Sequence, residues 1–175
     1  MILGAVLAGG QSSRFGSDKA MALLEGRALI DHVILALSSK VDGTIVCGRT
    51  YPSLTGVPDR PRPELGPLGG INAALRYAAD NGYVKVLTAP CDTPRISQDL
   101  LAALLAAPAP VYLSSLPVLG CWPSVLADQL DAHLDQATDL SIRRWSRAIG
   151  ATALDHAAPL NINAPEDWDL LDGSG

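Results

Sequence analysis

A Rossmann-like three-layer α/β/α fold with a mostly parallel central sheet is predicted by two patterns in this chain. One is its opening, where an apolar run over residues 2–7 flows straight into Ala8-Gly9-Gly10-Gln11-Ser12-Ser13-Arg14-Phe15-Gly16-Ser17-Asp18-Lys19. That is a buried strand giving onto a loop of glycines, hydroxyls and the cations Arg14 and Lys19. The other is the remainder, where short apolar runs alternate with stretches whose apolar residues recur at helical spacing. Strands joined by crossover helices form a parallel sheet covered on both faces.

The elements follow in order. Residues 28–39 set Leu29, Ile30, Val33, Ile34 and Leu37 at helical spacing, and residues 43–47 carry Thr44-Ile45-Val46, a short second strand. Residues 51–67 hold Pro52, Pro58, Pro61, Pro63 and Pro67 among glycines and charges. They read as an irregular loop inside one domain, because apolar periodicity resumes on both sides. Residues 68–81 are helical, with Ile71, Ala74, Leu75 and Ala78 on one face, and residues 83–89 are a continuous apolar strand ending in Pro90-Cys91-Asp92. A leucine and alanine helix covers 98–107, two strands 110–114 and 117–120, helices 124–134 and 141–149, and a late strand 151–154. Residues 165–171 read as a terminal helix with proline in its first turn. The whole chain, residues 1–175, reads as one domain with a single core. In such sheets ligands lie at the carboxyl ends of the strands, where the loops after Leu7, Cys47 and Ala89 fall.

Composition narrows the function. With 48% hydrophobic residues a packed globule is expected. A net charge of -5 implies no broad basic face, so no nucleic-acid partner is expected, while a local cationic loop can still take a nucleotide. Cys47, Cys91 and Cys121 are widely spaced, without a CxxC or Cys/His pair, and read as reduced thiols rather than zinc ligands. No secretory leader and no membrane-length apolar run is evident, so a cytoplasmic location without a membrane partner is expected.

The chemistry concentrates in the loops. Gly9 and Gly10 let backbone N–H groups approach anionic oxygens, Arg14 can fork onto phosphate, and Lys19 adds a mobile point charge. Paired glycines alone would mark only a tight turn; two cations and two hydroxyls beside them point to a triphosphate. The loop is neither GxxxxGK[ST] nor GxGxxG, so it is not a P-loop or a dinucleotide fingerprint. Asp92, at a strand end, can hold magnesium against phosphate oxygens or can initiate a turn before the helix at Gln98; the strand end favours the metal. Gly66-Pro67-Leu68-Gly69-Gly70 starts a helix whose N–H groups could face a ligand, although close helix–sheet packing also calls for glycine at Gly66 and Gly69. Asn161 and Asn163 share one face of an extended segment and could reach a metal or phosphate, or could form the turn that ends the last strand.

Leu7-Ala8-Gly9-Gly10-x-Ser12-x-Arg14-x-Gly16-x-x-Lys19-Ala20 resembles the signature of the sugar-nucleotidyltransferase-like superfamily, and its Ala8-Gly9-Gly10 form is most similar to the molybdenum cofactor guanylyltransferases. Gly66-Pro67-Leu68-Gly69-Gly70-Ile71, Pro90-Cys91-Asp92-Thr93-Pro94 and Asn161-Ile162-Asn163-Ala164-Pro165-Glu166-Asp167 resemble three further elements of that family, in the family's order and over almost the whole chain. The resemblance implies transfer of GMP from GTP to the phosphate of molybdopterin, with release of pyrophosphate. It implies Arg14, Lys19 and Asp92 as catalytic residues and Asp92 as the magnesium ligand. It further implies Leu7, Ala8, Gly9, Gly10, Lys19, Asp59 and Asp92 around GTP, with Gly66, Gly69, Asn161 and Asn163 towards the second substrate. Implied partners are GTP, molybdopterin and, transiently, cofactor-assembly proteins and molybdoenzymes.

Two stretches depart from the family. Ile45-Val46-Cys47-Gly48-Arg49 lacks the asparagine that members often carry near the base, and Trp122 stands in for a histidine towards the second substrate. The rival readings are cytidylyl or sugar-1-phosphate nucleotidyl transfer on the same scaffold, and a nucleotide-binding relative without catalysis.

Overall fold

A computed structural model describes residues 1–9, 18–136 and 139–159. Gly10, Arg14, Asn161, Asn163 and the helix expected over 165–171 lie outside the described residues.

Nine strands and five α-helices run in the order β1 (Ile2–Leu7), β2 (Leu23–Leu24), β3 (Arg27–Ala28), α1 (Leu29–Ser38), β4 (Gly43–Cys47), β5 (Thr55–Val57), α2 (Pro67–Asp80), β6 (Lys85–Pro90), α3 (Gln98–Ala106), β7 (Val111–Leu113), β8 (Leu116–Pro123), α4 (Ala127–Gln136), α5 (Ile142–Ala148) and β9 (Thr152–Leu154) among the described residues. The seven-stranded sheet has the order β5-β4-β1-β6-β8-β7-β9. Strands β5, β4, β1 and β6 pair in parallel, as do β7 and β9. Strand β8 runs antiparallel to both neighbours, because the tight turn joining it to β7 makes a hairpin, and a hairpin reverses the chain.

Alternation along each strand divides the core into two layers. Leu3, Ala5 and Leu7 of β1 pack with Leu68, Ile71 and Leu75 of α2, Leu130 and Leu134 of α4, and Trp145 of α5. Val6 of β1 turns to the other face, with Ile30, Val33 and Leu37 of α1 and Leu100, Leu101 and Leu104 of α3. The three-layer expectation therefore holds.

Two small elements escaped the sequence pattern. Residues 51–67 are not wholly irregular: β5 lies within them and pairs with β4 through Ile45–Thr55, Val46–Gly56 and Cys47–Val57. Three residues with glycine at the centre carry too little strand propensity to stand out among prolines. The β2–β3 hairpin is two residues per strand, turning through Glu25 and Gly26, both at positive φ.

Trp122 is a packing residue. It is fully buried on β8, donates Nε1–H to the Thr88 hydroxyl at 2.9 Å, and stacks with Tyr112 at 6.3 Å between ring centres. It belongs to the core. Arg143, Arg144 and Arg147 lie on the exposed side of α5, a solvated helix face.

Candidate active site

The parallel register sets three strand ends level. Leu7 pairs with Cys47 on one side and Pro90 on the other, so β1, β4 and β6 finish together. The ladder runs one step further: Ala8 N–H donates to Cys47 O at 2.9 Å, and Cys91 N–H donates to Leu7 O at 3.1 Å. Gly48 N–H likewise reaches Val57 O of β5 at 2.8 Å. The residues next along, Gly9, Arg49, Asp59 and Asp92, are thereby carried to one rim of the sheet.

Asp59 sits in a bed of glycines. A Cβ on Gly9 would lie 3.0 Å from Asp59 Oδ2, and one on Gly69 would lie 3.2 Å from Asp59 Cβ. Gly70 is packed between Leu7 and Asp59 Oδ1 in the same way. Gly69 and Gly70 thus serve close packing of α2 onto the strand ends, whereas Gly66, at φ +60, opens α2 with free space around it. The tightest point is Gly48: at φ +86, a Cβ there would fall 2.3 Å from Gly9 Cα. No side chain can occupy position 48, so whatever meets a base at this place is backbone or comes from another residue.

Within this bed Asp59 Oδ1 is buried without a hydrogen-bond partner, and burial pushes the carboxyl above the usual carboxylate range. A group whose pKa is raised by folding weakens the fold once ionised, so its penalty is present at neutral pH, fades as pH falls through the raised pKa, and is gone below the ordinary carboxylate range. Asp59→Asn, by removing the charge, is expected to raise Tm at pH 7 by about 2–4 °C. The gain should shrink towards pH 3. Thermal melts across that range check it; a midpoint at or below the parent's at pH 7 is the contrary result.

Lys19 and Asp92 come together across the rim. Lys19 Nζ lies 2.9 Å from Asp92 Oδ2, with the two side chains 13% and 22% exposed, so the pair is shielded yet open to a ligand. Lys19 opens a short 3-10 turn, Lys19–Met21, pinned by buried Ala20. Asp92 Oδ1 has only the Thr93 hydroxyl, at 3.5 Å, among the described residues. One carboxylate with an oxygen to spare suits magnesium, which takes one or two carboxylates and completes its shell with phosphate and water. Among the described residues no group of three or more His, Cys, Asp or Glu could hold a metal by itself.

Two further ion pairs frame the site and were not foreseen. Arg49 grips Asp18 with both terminal nitrogens, and Arg95, just past Asp92, reaches Glu25 Oε1 at 2.9 Å at the tip of the β2–β3 hairpin. All three cysteines are free, and burial pushes the Cys91 thiol up to about 12, so it is no nucleophile at neutral pH.

Comparison with known proteins gives the family. The family model described as MobA-like NTP transferase domain matches residues 4–154. A molybdenum cofactor guanylyltransferase of Acidiphilium cryptum is 34% identical over 180 residues, covering 95% of this chain and 92% of that one. One of Rhizobium leguminosarum bv. trifolii is 40% identical over 143 residues, covering 76% and 68%. A crystal structure of the molybdopterin-guanine dinucleotide biosynthesis protein A of Archaeoglobus fulgidus superposes with a TM-score of 0.74 at 21% identity, over 97% of this chain and 96% of that one, a likeness of fold. No helix among the described residues is long and apolar enough to cross a membrane. On its family model and its relatives, the chain is a nucleotidyltransferase and belongs to the MobA-like NTP transferase family.

Proposed function

We propose that the chain transfers GMP from GTP to the terminal phosphate of molybdopterin. An oxygen of that phosphate attacks the α-phosphorus of GTP, the bond to the β-phosphate breaks, and pyrophosphate leaves. The observation that carries this reading is that the Lys19–Asp92 pair and the half-buried Asp59, whose Oδ1 has no hydrogen-bond partner, stand on one rim where the strand ends are level. The names of the relatives supply the base and the acceptor.

The attacking group is already an anion, so no general base is needed. The work is in-line positioning and the spreading of charge that builds on the α-phosphate and the leaving group. On this reading Lys19 turns its ammonium to the α-phosphate, while Arg14 and the amides of Gly9 and Gly10 hold the β- and γ-phosphates. The backbone of Leu7, Ala8 and Gly9 and the carboxylate of Asp59 seat the nucleoside. Asp59 then finds in the nucleoside the hydrogen-bond donors it lacks in the protein. Asp92 holds magnesium, which when bound offsets phosphate charge and orients the triphosphate. Gly66, with open space around it at the start of α2, is assigned to the side from which molybdopterin approaches, and Asn161 and Asn163, outside the described residues, are assigned to the same substrate, while Gly69 is taken up by packing. The chain works in the cytoplasm and passes its product on through transient contacts with cofactor-assembly proteins and molybdoenzymes.

The test is pyrophosphate release and dinucleotide formation with molybdopterin and each of ATP, GTP, CTP and UTP. Product with GTP alone is expected. Because Gly48 can carry no side chain, CTP is the competitor that matters: product with CTP and none with GTP overturns the base assignment. Binding of GTP without product overturns the activity.

A further inference from the structure

Consecutive residues of the β4–β5 loop hold both ends of the segment that carries the glycine-rich sequence. Gly48 packs backbone to backbone on Gly9, at its near end. Arg49 grips Asp18, at its far end, with Nη1 2.9 Å from Oδ1 and Nη2 on Oδ2. This is a planar two-pronged pair, which guanidinium can make and ammonium cannot.

The anchor on the Arg49 side is stiff. Its carbonyl lies where a Cβ on Gly56 of β5 would be at 2.6 Å, so Arg49 is seated against the sheet edge. Its side chain is 25% exposed, and Nε is buried without a partner. The Asp18 side leads directly to chemistry. Asp18 occupies the N-cap position of the turn that begins at Lys19, its carbonyl accepts Met21 N–H at 3.0 Å, and its side chain makes no capping bond to that turn. The carboxylate's main partner is Arg49, ahead of a weaker attraction to the Ala20 N–H, while the backbone of the same residue sets the turn from which Lys19 reaches Asp92.

We propose that Arg49 is a positioning residue: through its fork on Asp18 it fixes the Lys19 turn against the sheet edge and so aims the Lys19 ammonium. Arg49 acts through Asp18 and not on the nucleotide. The proposal rests on the role given to Lys19 above. It also accounts for a strand as short as β5 at this edge, since β5 is what Arg49 is braced against.

The experiment takes Arg49→Ala, Arg49→Lys, Asp18→Asn and the double variant Arg49→Ala/Asp18→Asn, with two readouts. Steady-state kinetics with GTP and molybdopterin should show Arg49→Ala and Asp18→Asn each losing about tenfold or more in kcat, with little change in the KM for GTP. The double variant should lose no more than either single one, the mark of two residues acting as one unit. Arg49→Lys should recover only part of the loss. The second readout is the Lys19 ammonium resonance in nitrogen-15 NMR of the protein without nucleotide: it should be resolved in the parent and broadened or shifted in Arg49→Ala. Parental kcat in Arg49→Ala, losses that multiply in the double variant, or an unmoved Lys19 resonance would each overturn the proposal. If the parent makes no guanylyl product yet the resonance responds, the positioning role stands and the proposed reaction falls.

Discussion

Lys19→Ala is expected to lower kcat for guanylyl transfer by about 10²–10³-fold, the usual cost of removing one preorganised group aimed at developing charge. The loss should fall on kcat, because an ammonium at the α-phosphate gains most when charge accumulates there, and the KM for GTP should move little. The fold should survive. Removing Lys19 leaves Asp92 without its counterion, but Asp92 is 22% exposed and water can reach it. A lost charged hydrogen bond there costs about 1–2 kcal/mol, or roughly 2–6 °C in Tm. Lys19→Met separates packing from charge: it keeps most of the stem, and should match Lys19→Ala in rate. Steady-state kinetics and thermal melts of both variants check this. A Lys19→Met enzyme at the parental rate would show that the ammonium has no part in the chemistry.

How far this was legible beforehand varied with the kind of signal. Strands β1, β4 and β6 announced themselves because central parallel strands are apolar on both faces, and their ends marked the rim that carries Gly9, Arg49 and Asp92. Lys19 and Asp92 were each legible from local motifs, but not that they pair, because they are 73 residues apart and only the crossing of β1 beside β6 joins them. Strand β5 was hidden by its own brevity, and with it the reason that Asp59 lies in the site. The Arg49–Asp18 fork had no sequence signal at all, since surface arginines and aspartates are common and nothing local says which will meet. The hairpin at Leu23–Ala28 had one: Glu25-Gly26 is a turn pair between apolar residues, too short a cue to outweigh the long helix after it.

The other half of the central pair gives the second large effect. Asp92→Asn keeps the shape of the side chain and one oxygen but loses the charge, and a neutral amide is a poor sole ligand for a hard dication. The magnesium concentration giving half-maximal rate is expected to rise at least about tenfold, and kcat at saturating metal to fall about 10²-fold. A magnesium titration of turnover separates this from misfolding, because a destabilised enzyme loses amplitude without shifting its midpoint. Since Lys19 Nζ and Asp92 Oδ2 are only 2.9 Å apart, the two substitutions cannot act independently. Asp92→Asn takes from the ammonium the carboxylate it meets at 2.9 Å, and Lys19→Ala takes from that carboxylate the cation it meets, so each substitution removes the same contact. The double variant should therefore lose less than the product of the two single losses. An unmoved magnesium midpoint in Asp92→Asn would mean that the ion pair only braces the loop between β6 and α3, and that the metal is held elsewhere.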